Sequence, residues 1–468
     1  MERLLDSLGE ALAELPDPPW KLAVAFSGGL DSTVLLTAIC RLKPRPEVRA
    51  LHVDHGLHPD SKAWERHCRI AAAALGVDYR SRRRPVEAVP GESLEARARA
   101  VRYRALKELL APGETLLTAH HADDQLETVM LRLLRGTGVR GLRGIAPLRT
   151  LGAVGAPVPQ DRPDRQRELA PPCRFGAAFL LARPLLGVSR AEILAAARDW
   201  GLEWIEDPSN RDTRFDRNYV RAELIPRITE RWPAAARTVG RAANQMAQAQ
   251  QILDDAALAD APGDPERIDC AVLRDLSPVR RRNVLRHSMV RLGLPTPDTR
   301  QMDELLRALD VRRRDARTTV HWPGGEARIY RDRLYLLEPL PAASPPGYSG
   351  KVSLARPWRG PEGKIRLVSG AGHGLPADWA EEGFSVRFRK GGERFRPMGR
   401  AHSRPLKKWL QEAGVPPWLR ARIPLLYREE ALVAVGDLWV AHVAADKADK
   451  AGNQALWQVQ WTDHPGLS

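Results

Sequence analysis

Residues 24–32 read "VAFSGGLDS", in which a short apolar run leads directly into two serines, two glycines and an aspartate. Apolar residues followed by glycines predict a strand that ends in a tight turn, because glycine lacks the Cβ that restricts other residues. A helix that starts near Ser32 would direct its free N–H groups and partial positive charge at that turn. The stretch therefore predicts a phosphate-binding loop.

This loop differs from two common nucleotide-binding signatures, because it contains neither GxxxxGK(S/T) nor GxGxxG. The alternative interpretation is an ordinary capping turn with Asp31 or Ser32 as the N-cap, but a cap needs only one such residue. Asp31 is also the residue that could hold a Mg²⁺ bridging phosphate oxygens. The candidate phosphate-binding residues are Ser27, Gly28, Gly29, Leu30, Asp31 and Ser32.

Short apolar segments alternate with segments of helical periodicity between residue 21 and about residue 205. The predicted strands are Leu22–Phe26, Val48–Val53, Val77–Arg82, Thr115–Ala119 and Phe179–Ala182. The predicted helices are Ser32–Leu42, Ser61–Leu75, Ser93–Leu110, Ala122–Arg135 and Ser189–Trp200. This alternation is typical of a parallel sheet covered by helices on both faces, so the sequence predicts an α/β fold. Residues 150–178 break the pattern with proline, glycine and charge, which predicts a long loop.

The composition changes twice more along the chain, from α/β alternation to helical periodicity and then to mixed strands and helices after a proline-rich stretch. These changes predict a domain organisation with a linker. The predicted segments are an α/β domain at 1–225, a mostly helical middle domain at 226–338, a linker at 339–350 and a small α+β domain at 351–468.

The charge and the cysteine content of the chain indicate its binding partner and its cellular compartment. The 73 basic residues exceed the 58 acidic ones, for a net charge of +15, which favours a polyanionic partner such as nucleic acid; arginine-rich genome composition is the alternative. Cys40, Cys68, Cys173 and Cys270 form no CxxC pair, which indicates a reducing compartment. The sequence shows neither a signal peptide nor a long apolar span, so we expect a cytoplasmic protein without membrane contact.

The SGGxDS pattern after the first strand resembles the PP-loop of the ATP pyrophosphatases, which split ATP into AMP and pyrophosphate. "LHVDHGLH" (51–58) resembles the segment that follows the second strand in that group. Several further segments resemble the bacterial tRNA(Ile)-lysidine synthetases. They are "EARARAVRYRAL" (95–106), "TAHHADDQLETVMLRLLRGTGVRGLRGI" (118–145), "RPLLGVSRAEI" (183–193), "WIEDPSNRDTRFDRNYVRAELIP" (204–226), "RKGGERFRPMG" (389–399) and "LKKWLQEAGVPPWLRARIPLL" (406–426).

The resemblance implies a reaction. ATP with Mg²⁺ would adenylate the 2-oxygen of the wobble cytidine in the tRNA(Ile) with a CAU anticodon, and the ε-amine of L-lysine would then displace AMP. The codon read would change from AUG to AUA, and the amino-acid identity from methionine to isoleucine. By the same resemblance, Arg99 and His120 would contact the ATP phosphates, Val53 would lie near the adenosine, and the catalytic residues would be Asp31, Arg99, His120 and Asp124.

Asp124 and Glu127 lie three residues apart, which places them on one face of the predicted helix. The resemblance assigns these carboxylates, together with Arg217, to lysine binding. The alternative is that acids at this position only cap the helix and complement its dipole. A metal site is a second alternative, built from His120, His121, Asp123 and Asp124 or from the histidines at 52, 55 and 58.

Nine basic residues and a single acid, Glu393, occur between Ser385 and Trp409, and we call this segment the basic run. Its aromatic residues, Phe388, Phe395 and Trp409, add the expectation that RNA bases stack there. A solvated surface is the alternative. The candidate tRNA-binding residues are Arg387, Arg389, Lys390, Arg394, Arg396, Lys407 and Lys408.

Two other functions stay open on the sequence. One is another PP-loop modification of tRNA, such as thiolation, which would need a sulfur-handling cysteine pair. The other is a non-catalytic RNA-binding protein that retains the nucleotide fold. The sequence leaves the oligomeric state open, with a homodimer as one option.

Overall fold

The computed structural model describes residues 2–16, 20–56, 58–86, 94–151, 179–208, 212–311, 318–345, 348–370, 374–442 and 456–464, with the side chains of 94–96 excepted. The chain separates into two compact units. The N-terminal unit contains residues 1–260 and 290–293, and the C-terminal unit contains residues 261–289 and 294–468. The predicted domain boundaries near residues 225, 338 and 350 stay a prediction.

A six-stranded sheet forms the centre of the N-terminal unit, with strand order β3-β2-β1-β4-β6-β5. Its strands are β1 Lys21–Ala25, β2 Glu47–Asp54, β3 Asp78–Arg83, β4 Glu114–Leu117, β5 Leu148–Leu151 and β6 Phe179–Ala182. All neighbouring strands are parallel except β5, which pairs antiparallel with β6. The predicted parallel sheet is therefore confirmed, and β5 is a strand that the sequence analysis did not predict.

Helices cover both faces of this sheet. They are α1 Glu2–Ala13, α2 Leu30–Arg41, α3 Ser61–Ala74, α4 Leu94–Leu109, α5 Ala122–Leu134, α6 Val139–Leu142, α7 Arg190–Asp199, α8 Asp216–Tyr219, α9 Ile225–Arg231 and α10 Ala235–Asp260, with a π-helical turn at Val220–Leu224. In β1, Leu22 and Val24 belong to one apolar core, whereas Ala23 belongs to a second core that contains Leu106 of α4. This alternation follows from the two-residue period of a strand and confirms that both faces are buried.

The C-terminal unit contains helices and antiparallel sheets. Its helices are α11 Cys270–Asp275, α12 Pro278–Arg291, α13 Thr299–Asp310, α14 Ala377–Glu382, α15 Leu406–Glu412 and α16 Pro417–Arg420. One sheet has the order β7-β10-β9-β8, from β7 Arg267–Asp269, β8 Thr318–Trp322, β9 Gly325–Tyr330 and β10 Arg333–Leu337. The helical middle region thus also contributes a four-stranded sheet.

The last part of the C-terminal unit has the predicted α+β character. A five-stranded sheet has the order β11-β14-β17-β18-β19, a three-stranded sheet the order β12-β13-β20, and β15 pairs with β16. These strands are β11 Ser349–Val352, β12 Trp358–Gly360, β13 Gly363–Gly370, β14 Phe384–Arg387, β15 Arg394–Phe395, β16 Arg404–Pro405, β17 Leu425–Arg428, β18 Ala431–Val435, β19 Trp439–Val440 and β20 Leu456–Thr462.

Most of the predicted 150–178 loop, from residue 152 onward, lies outside the described residues, as does Cys173. Residues 150 and 151 belong to β5. Within the described ranges, no helix is long and apolar enough to cross a bilayer.

Candidate active site

The phosphate loop occupies the connection between β1 and α2, as the sequence predicts. Gly28 has a positive φ of 82°, and a Cβ added there would lie 2.7 Å from Cys68 Sγ and 2.8 Å from Ile205 Cδ1. Both backbone conformation and packing therefore require glycine at this position. A Cβ at Gly29 would meet only Ser27 Oγ and the Ile205 carbonyl, at 3.5 and 3.8 Å, which are ordinary contacts. Packing within the chain thus leaves room above Gly29.

The two serine side chains close the loop on itself. Ser27 Oγ and Ser32 Oγ lie 3.1 Å apart, and Ser32 Oγ donates to the Gly29 carbonyl over 3.0 Å. The Ser27 N–H donates to Ser32 Oγ over 3.3 Å. The helix α2 starts at Leu30 with Gly29 at the N-cap, so its first N–H groups face the loop without intrahelical partners. This arrangement suits an anion.

Asp31 lies in the first turn of α2 with its side chain 34% exposed. Its Oδ1 is buried and has no hydrogen-bond partner among the described residues. Burial raises the pKa of Asp31, and the nearby His121 partly opposes that shift. A carboxylate oxygen without a partner beside a phosphate loop is a donor that a Mg²⁺ ion shared with phosphate oxygens would use.

His121 lies between three carboxylates and is 1% exposed. Its Nε2 is 3.7 Å from Asp31 Oδ2 and 3.5 Å from Asp124 Oδ2, and its Nδ1 is 3.5 Å from Asp123 Oδ2. Burial disfavours the imidazolium, but the carboxylates outweigh burial and raise the pKa of His121. On the sequence His121 is only a candidate metal ligand, whereas the structure places it between acids that favour its charged form.

Asp124, Glu127, Arg217 and Arg221 form a compact set of ion pairs that we call the acid–arginine cluster. Arg217 donates from Nε to Glu127 Oε2 over 2.9 Å and from Nη2 to Asp124 Oδ1 over 3.0 Å. Arg221 makes three hydrogen bonds, to Glu127 Oε1 over 2.5 Å, Glu127 Oε2 over 3.0 Å and Asp124 Oδ1 over 3.1 Å. The structure therefore brings the three predicted lysine-binding residues together.

Local structure explains how this cluster forms. Helix α5 presents Asp124 and Glu127 one turn apart, and α8 with the following π-helical turn presents Arg217 and Arg221 four residues apart. The sequence analysis missed Arg221, although the spacing in "RNYVR" (217–221) places both arginines on one helix face. π-helical turns occur often at functional sites.

Asp124 has two structural roles: it caps α5, as the alternative interpretation of the sequence holds, and it pairs with the arginines. Its Oδ2 accepts the backbone N–H of His121 over 3.0 Å, which caps α5, while its Oδ1 accepts from the two arginines. Burial disfavours the ionised form, yet the charges of His121 and Arg217 hold the pKa of Asp124 well below its usual range. The carboxylate is therefore ionised throughout the neutral range.

Arg99 lies on α4, and His120 follows the end of β4 by three residues. His120 Nδ1 is 2.9 Å from Thr118 Oγ1. Burial lowers the pKa of His120 well below its usual value, and Arg183 and Arg99 add to that effect against Asp124. The imidazole is therefore neutral, and its electrostatic neighbours include both Arg99 and Arg183.

The ring of Tyr103 lies close to two arginines. The Arg99 guanidinium is 5.3 Å and the Arg149 guanidinium 5.5 Å from its ring centre. Arg183, which follows β6, is 3% exposed and donates from Nη1 to the Ala146 carbonyl over 2.5 Å. These neighbours make the region around His120 strongly cationic. The sequence analysis missed Arg183 and Arg149, because β5 was not predicted and the position of the residue after β6 was not considered.

The end of β2 is tied to the phosphate loop. His52 Nδ1 is 2.9 Å from the Phe26 carbonyl, and Val53, the predicted adenosine neighbour, is half-buried. Burial lowers the pKa of His55 to about 4, with Arg102 adding to the effect. In the part of the chain that the structure describes, histidine, cysteine and acidic residues form no group of three or more that could hold a metal ion. The two histidine sets that the sequence raised as alternative metal sites are accordingly not among such groups.

The basic run lies in the C-terminal unit, and several of its charges have partners, most of them within the run itself. Arg387 donates to Glu430 over 2.9 Å, and Arg389 Nε is 3.5 Å from Glu393 Oε2. Arg394 and Arg396 donate to backbone carbonyls, those of residues 403 and 400. The exposed basic residues among the tRNA-binding candidates are Lys390, Arg394, Lys407 and Lys408.

The expectation of base stacking on the aromatic residues of this run is wrong. Phe388 and Phe395 are each 2% exposed and Trp409 is 5% exposed, because all three belong to the apolar core of the unit. The guanidinium groups of Arg400 and Arg404 lie 5.5 and 5.2 Å from the Trp409 ring centre. Phe395 belongs to β15, Trp409 to α15, and Phe388 follows β14, so the basic and aromatic residues here alternate because these segments bury one face and expose the other.

Comparisons with known proteins give the family. The model of the PP-loop domain matches residues 3–228, that of the TilS substrate binding domain residues 268–335, and that of the TilS substrate C-terminal domain residues 384–461. The tRNA(Ile)-lysidine synthase of Alkalilimnicola ehrlichii is 42% identical over 93% of each chain. That of Methylococcus capsulatus is 37% identical over 93% of this chain and 95% of its own. That of Pseudomonas syringae is 37% identical over 96% of this chain and 94% of its own. On its phosphate loop, its three domain matches and this identity over nearly its whole length, the chain belongs to the tRNA(Ile)-lysidine synthase family.

Proposed function

We propose that this chain is a ligase that forms lysidine in tRNA(Ile) at the expense of ATP. AMP is transferred to the 2-oxygen of the wobble cytidine, with pyrophosphate released. The lysine ε-amine then bonds to C2, the C2–O bond breaks, and AMP leaves with that oxygen. The observation that carries the proposal is the phosphate loop, with the acid–arginine cluster linked to it through His121 and Asp31 in one unit.

The loop residues Ser27–Ser32 hold the phosphates through backbone N–H groups and hydroxyls. Mg²⁺ is part of the proposal, and Asp31 is the residue that fits it, since Oδ1 is buried without a partner. When bound, that ion neutralises charge on the departing pyrophosphate. Because the proposed transition state gains charge on phosphate oxygens, positioning and electrostatic stabilisation supply most of the catalysis.

Arg99 and His120 contact the phosphates from the side of β4 in this proposal. A neutral His120 can donate or accept a hydrogen bond without adding a charge, while Arg99 supplies the charge. Arg183 strengthens the same field, because it lies beside both His120 and Tyr103. Val53, near the end of β2, lies beside the adenosine in the proposed arrangement.

Lysine binding by Asp124, Glu127 and Arg217 requires an exchange of partners, because both carboxylates are already paired with arginines. Lysine brings an ammonium group for the acids and a carboxylate for a guanidinium, so the exchange conserves charge. Arg217 makes two hydrogen bonds in the cluster whereas Arg221 makes three. We therefore assign Arg217 to the lysine carboxylate and Arg221 to holding Glu127 in place.

The tRNA(Ile) with a CAU anticodon is the proposed RNA substrate, and the basic run is one of its proposed contacts. Lys390, Arg394, Lys407 and Lys408 are exposed and can reach phosphates without burying a charge. Arg387, Arg389 and Arg396 complete the set, each held by a neighbouring carboxylate or carbonyl. A homodimer and a cytoplasmic location stay predictions.

Mass spectrometry of the tRNA after incubation with ATP, Mg²⁺ and lysine tests the function. The expected product is a wobble cytidine whose mass has grown by one lysine less one water. A gain of sulfur would support the thiolation alternative, for which Cys40, Cys68 and Cys270 are separate free thiols. An unchanged cytidine with intact tRNA binding would support the non-catalytic alternative.

Cadaverine, which has the lysine amines without the carboxylate, tests the exchange. We expect Arg217→Ala to lose activity with lysine but to change little with cadaverine, whereas Arg221→Ala loses activity with both. Equal losses for the two amines in Arg217→Ala would reject a contact between Arg217 and the lysine carboxylate.

A further inference from the structure

A cleft of about 510 Å³ lies at the carboxyl ends of β2 and β3 in the N-terminal unit. Its lining residues come from the ends of these strands and from the first turns of α3. They are Asp54, Lys62, Glu65, Arg66, Ser81, Arg82 and Arg83. Since β1, β2 and β3 are neighbouring parallel strands, the cleft lies at the same edge of the sheet as the phosphate loop.

Basic side chains outnumber acidic ones in this cleft by four to two. Both acids have partners: Asp54 Oδ1 accepts the Gly56 N–H over 2.7 Å, and Glu65 Oε1 accepts from Ser81 Oγ over 2.6 Å. Glu65 also accepts from Arg69, which lies outside the cleft, over 3.0 Å. The acidic oxygens are therefore partly satisfied already.

The four basic residues of the cleft differ from these acids in their partners and exposure. Arg82 pairs with Glu108 over 2.5 Å, whereas Arg83 is 61% exposed with its Nε 3.5 Å from Asp54 Oδ2. Lys62 and Arg66 are exposed on α3, four residues apart on one helix face. Every lining residue carries a polar or charged group, and four of the seven are basic. This lining suits phosphate groups.

We propose that this cationic cleft binds backbone phosphates of the RNA substrate, an inference that rests on the proposed function. Strands in a sheet are about 4.8 Å apart, so the end of β3 lies about 10 Å from the end of β1. An RNA strand held in the cleft therefore passes within reach of the phosphate loop.

Protection of the sheet edge is the competing explanation, because basic residues on an edge strand discourage pairing with another chain. β3 is an edge strand, so this explanation covers Arg82 and Arg83. It does not cover Lys62 and Arg66, which lie on α3. These two residues therefore carry the test.

The test compares two double charge reversals in the full-length protein. Lys62→Glu/Arg66→Glu changes the cleft, and Arg237→Glu/Arg241→Glu changes two exposed residues four apart on α10 that do not line it. Dissociation constants for the tRNA(Ile) transcript are measured over a series of salt concentrations, together with KM for ATP. Equal thermal unfolding temperatures show that all three proteins are folded.

We expect the cleft variant to weaken tRNA binding about tenfold or more at low salt and to lower the salt slope by about 2, since each lost phosphate contact removes about 1. The control variant should lose much less, and KM for ATP should not change in either. Equal tRNA binding by the two variants overturns the inference, as does a rise in KM for ATP with tRNA binding unchanged. Absence of lysidine formation by the wild-type protein contradicts the proposed function, whereas the binding comparison decides the cleft independently.

Discussion

The acid–arginine cluster and the basic run are both built from charged side chains but differ in burial. Glu127 is 1% exposed, and its two carboxylate oxygens accept three hydrogen bonds from two arginines. In the basic run, Lys407 and Lys408 are exposed. Arg404 pairs with Glu412, and the side chains of these two residues are 50% and 57% exposed. A buried charge is expensive to leave without a partner, whereas solvent and salt screen an exposed one.

Because of this difference in burial, we expect the two regions to contribute to function in different ways. Each charge of the cluster is individually required, because its neighbours depend on it for neutralisation. Charges of the basic run contribute small and roughly additive amounts to RNA affinity. Substitutions in and beside the two regions test this contrast, and those at the buried site are expected to cost the most.

Asp31→Ala is expected to have the largest effect. Loss of the carboxylate beside the phosphate loop should reduce pyrophosphate release by a factor of about 100 to 1,000, the usual cost of one preorganised electrostatic group in an active site. The measurement is tRNA-dependent pyrophosphate release, with tRNA binding as the control for folding. Pyrophosphate release at the wild-type rate would remove Asp31 from the mechanism. It would also weaken the contrast between buried and exposed charges.

Glu127→Gln should destabilise the fold and raise the lysine requirement. Removing one partner of a buried ion pair costs about 3–5 kcal/mol. Here about 2–3 kcal/mol is expected, because the side chains of Arg217 and Arg221 are 28% and 30% exposed and can be solvated.

The matched control for this substitution is Glu223→Gln, whose side chain is 48% exposed and lies 4.0 Å from Arg227 in the same region of the chain. Chemical denaturation of both variants and the dependence of lysidine formation on lysine concentration give the comparison. Equal stability losses in the two variants would show that burial does not distinguish these acids.

The cluster should also show a pH dependence through Asp124. Its folded pKa lies well below the unfolded value of 3.8, so its ionised form stabilises the protein fully above about pH 4 and progressively less as the pH falls. The difference in unfolding free energy between wild type and Asp124→Asn should therefore shrink by about 1 kcal/mol from pH 5 to pH 3. A difference that stays constant over this range would mean that the Asp124 pKa is the same in both states.

Lys407→Ala/Lys408→Ala should give the smallest effect. The unfolding temperature should not change, because both side chains are exposed. The salt slope of tRNA binding should fall by about 1 to 2, with a modest loss of affinity. If the slope equals that of the wild-type protein, these two lysines do not contact phosphate.

The phosphate loop and the parallel sheet could be predicted because they depend on local signals. Glycines that follow an apolar run and strand–helix alternation are visible within about ten residues. Acids one turn apart on α5 are visible for the same reason. The family resemblance then supplied the chemistry, which residue spacing alone did not determine.

The remaining features depend on residues far apart in sequence. Arg221 is 94 residues from Glu127, and Glu430 is 43 residues from Arg387. The burial of Phe395 was missed because basic residues on both sides of it suggested a surface, whereas a strand such as β15 exposes one face and buries the other. Counting charges within a segment therefore overestimates how many are unpartnered.

The antiparallel strand β5 has a consequence for how this protein tolerates changes in length. Leu151 at the end of β5 is registered with Phe179 at the start of β6, so the chain leaves the sheet and re-enters it at adjacent positions. Joining two such neighbouring ends costs little more for a long connection than for a short one, about 0.6 kcal/mol for each doubling of length. We therefore expect that residues can be inserted or removed between β5 and β6 without changing the hydrogen bonds between these strands. The edge of the sheet that holds the active site would then also stay the same.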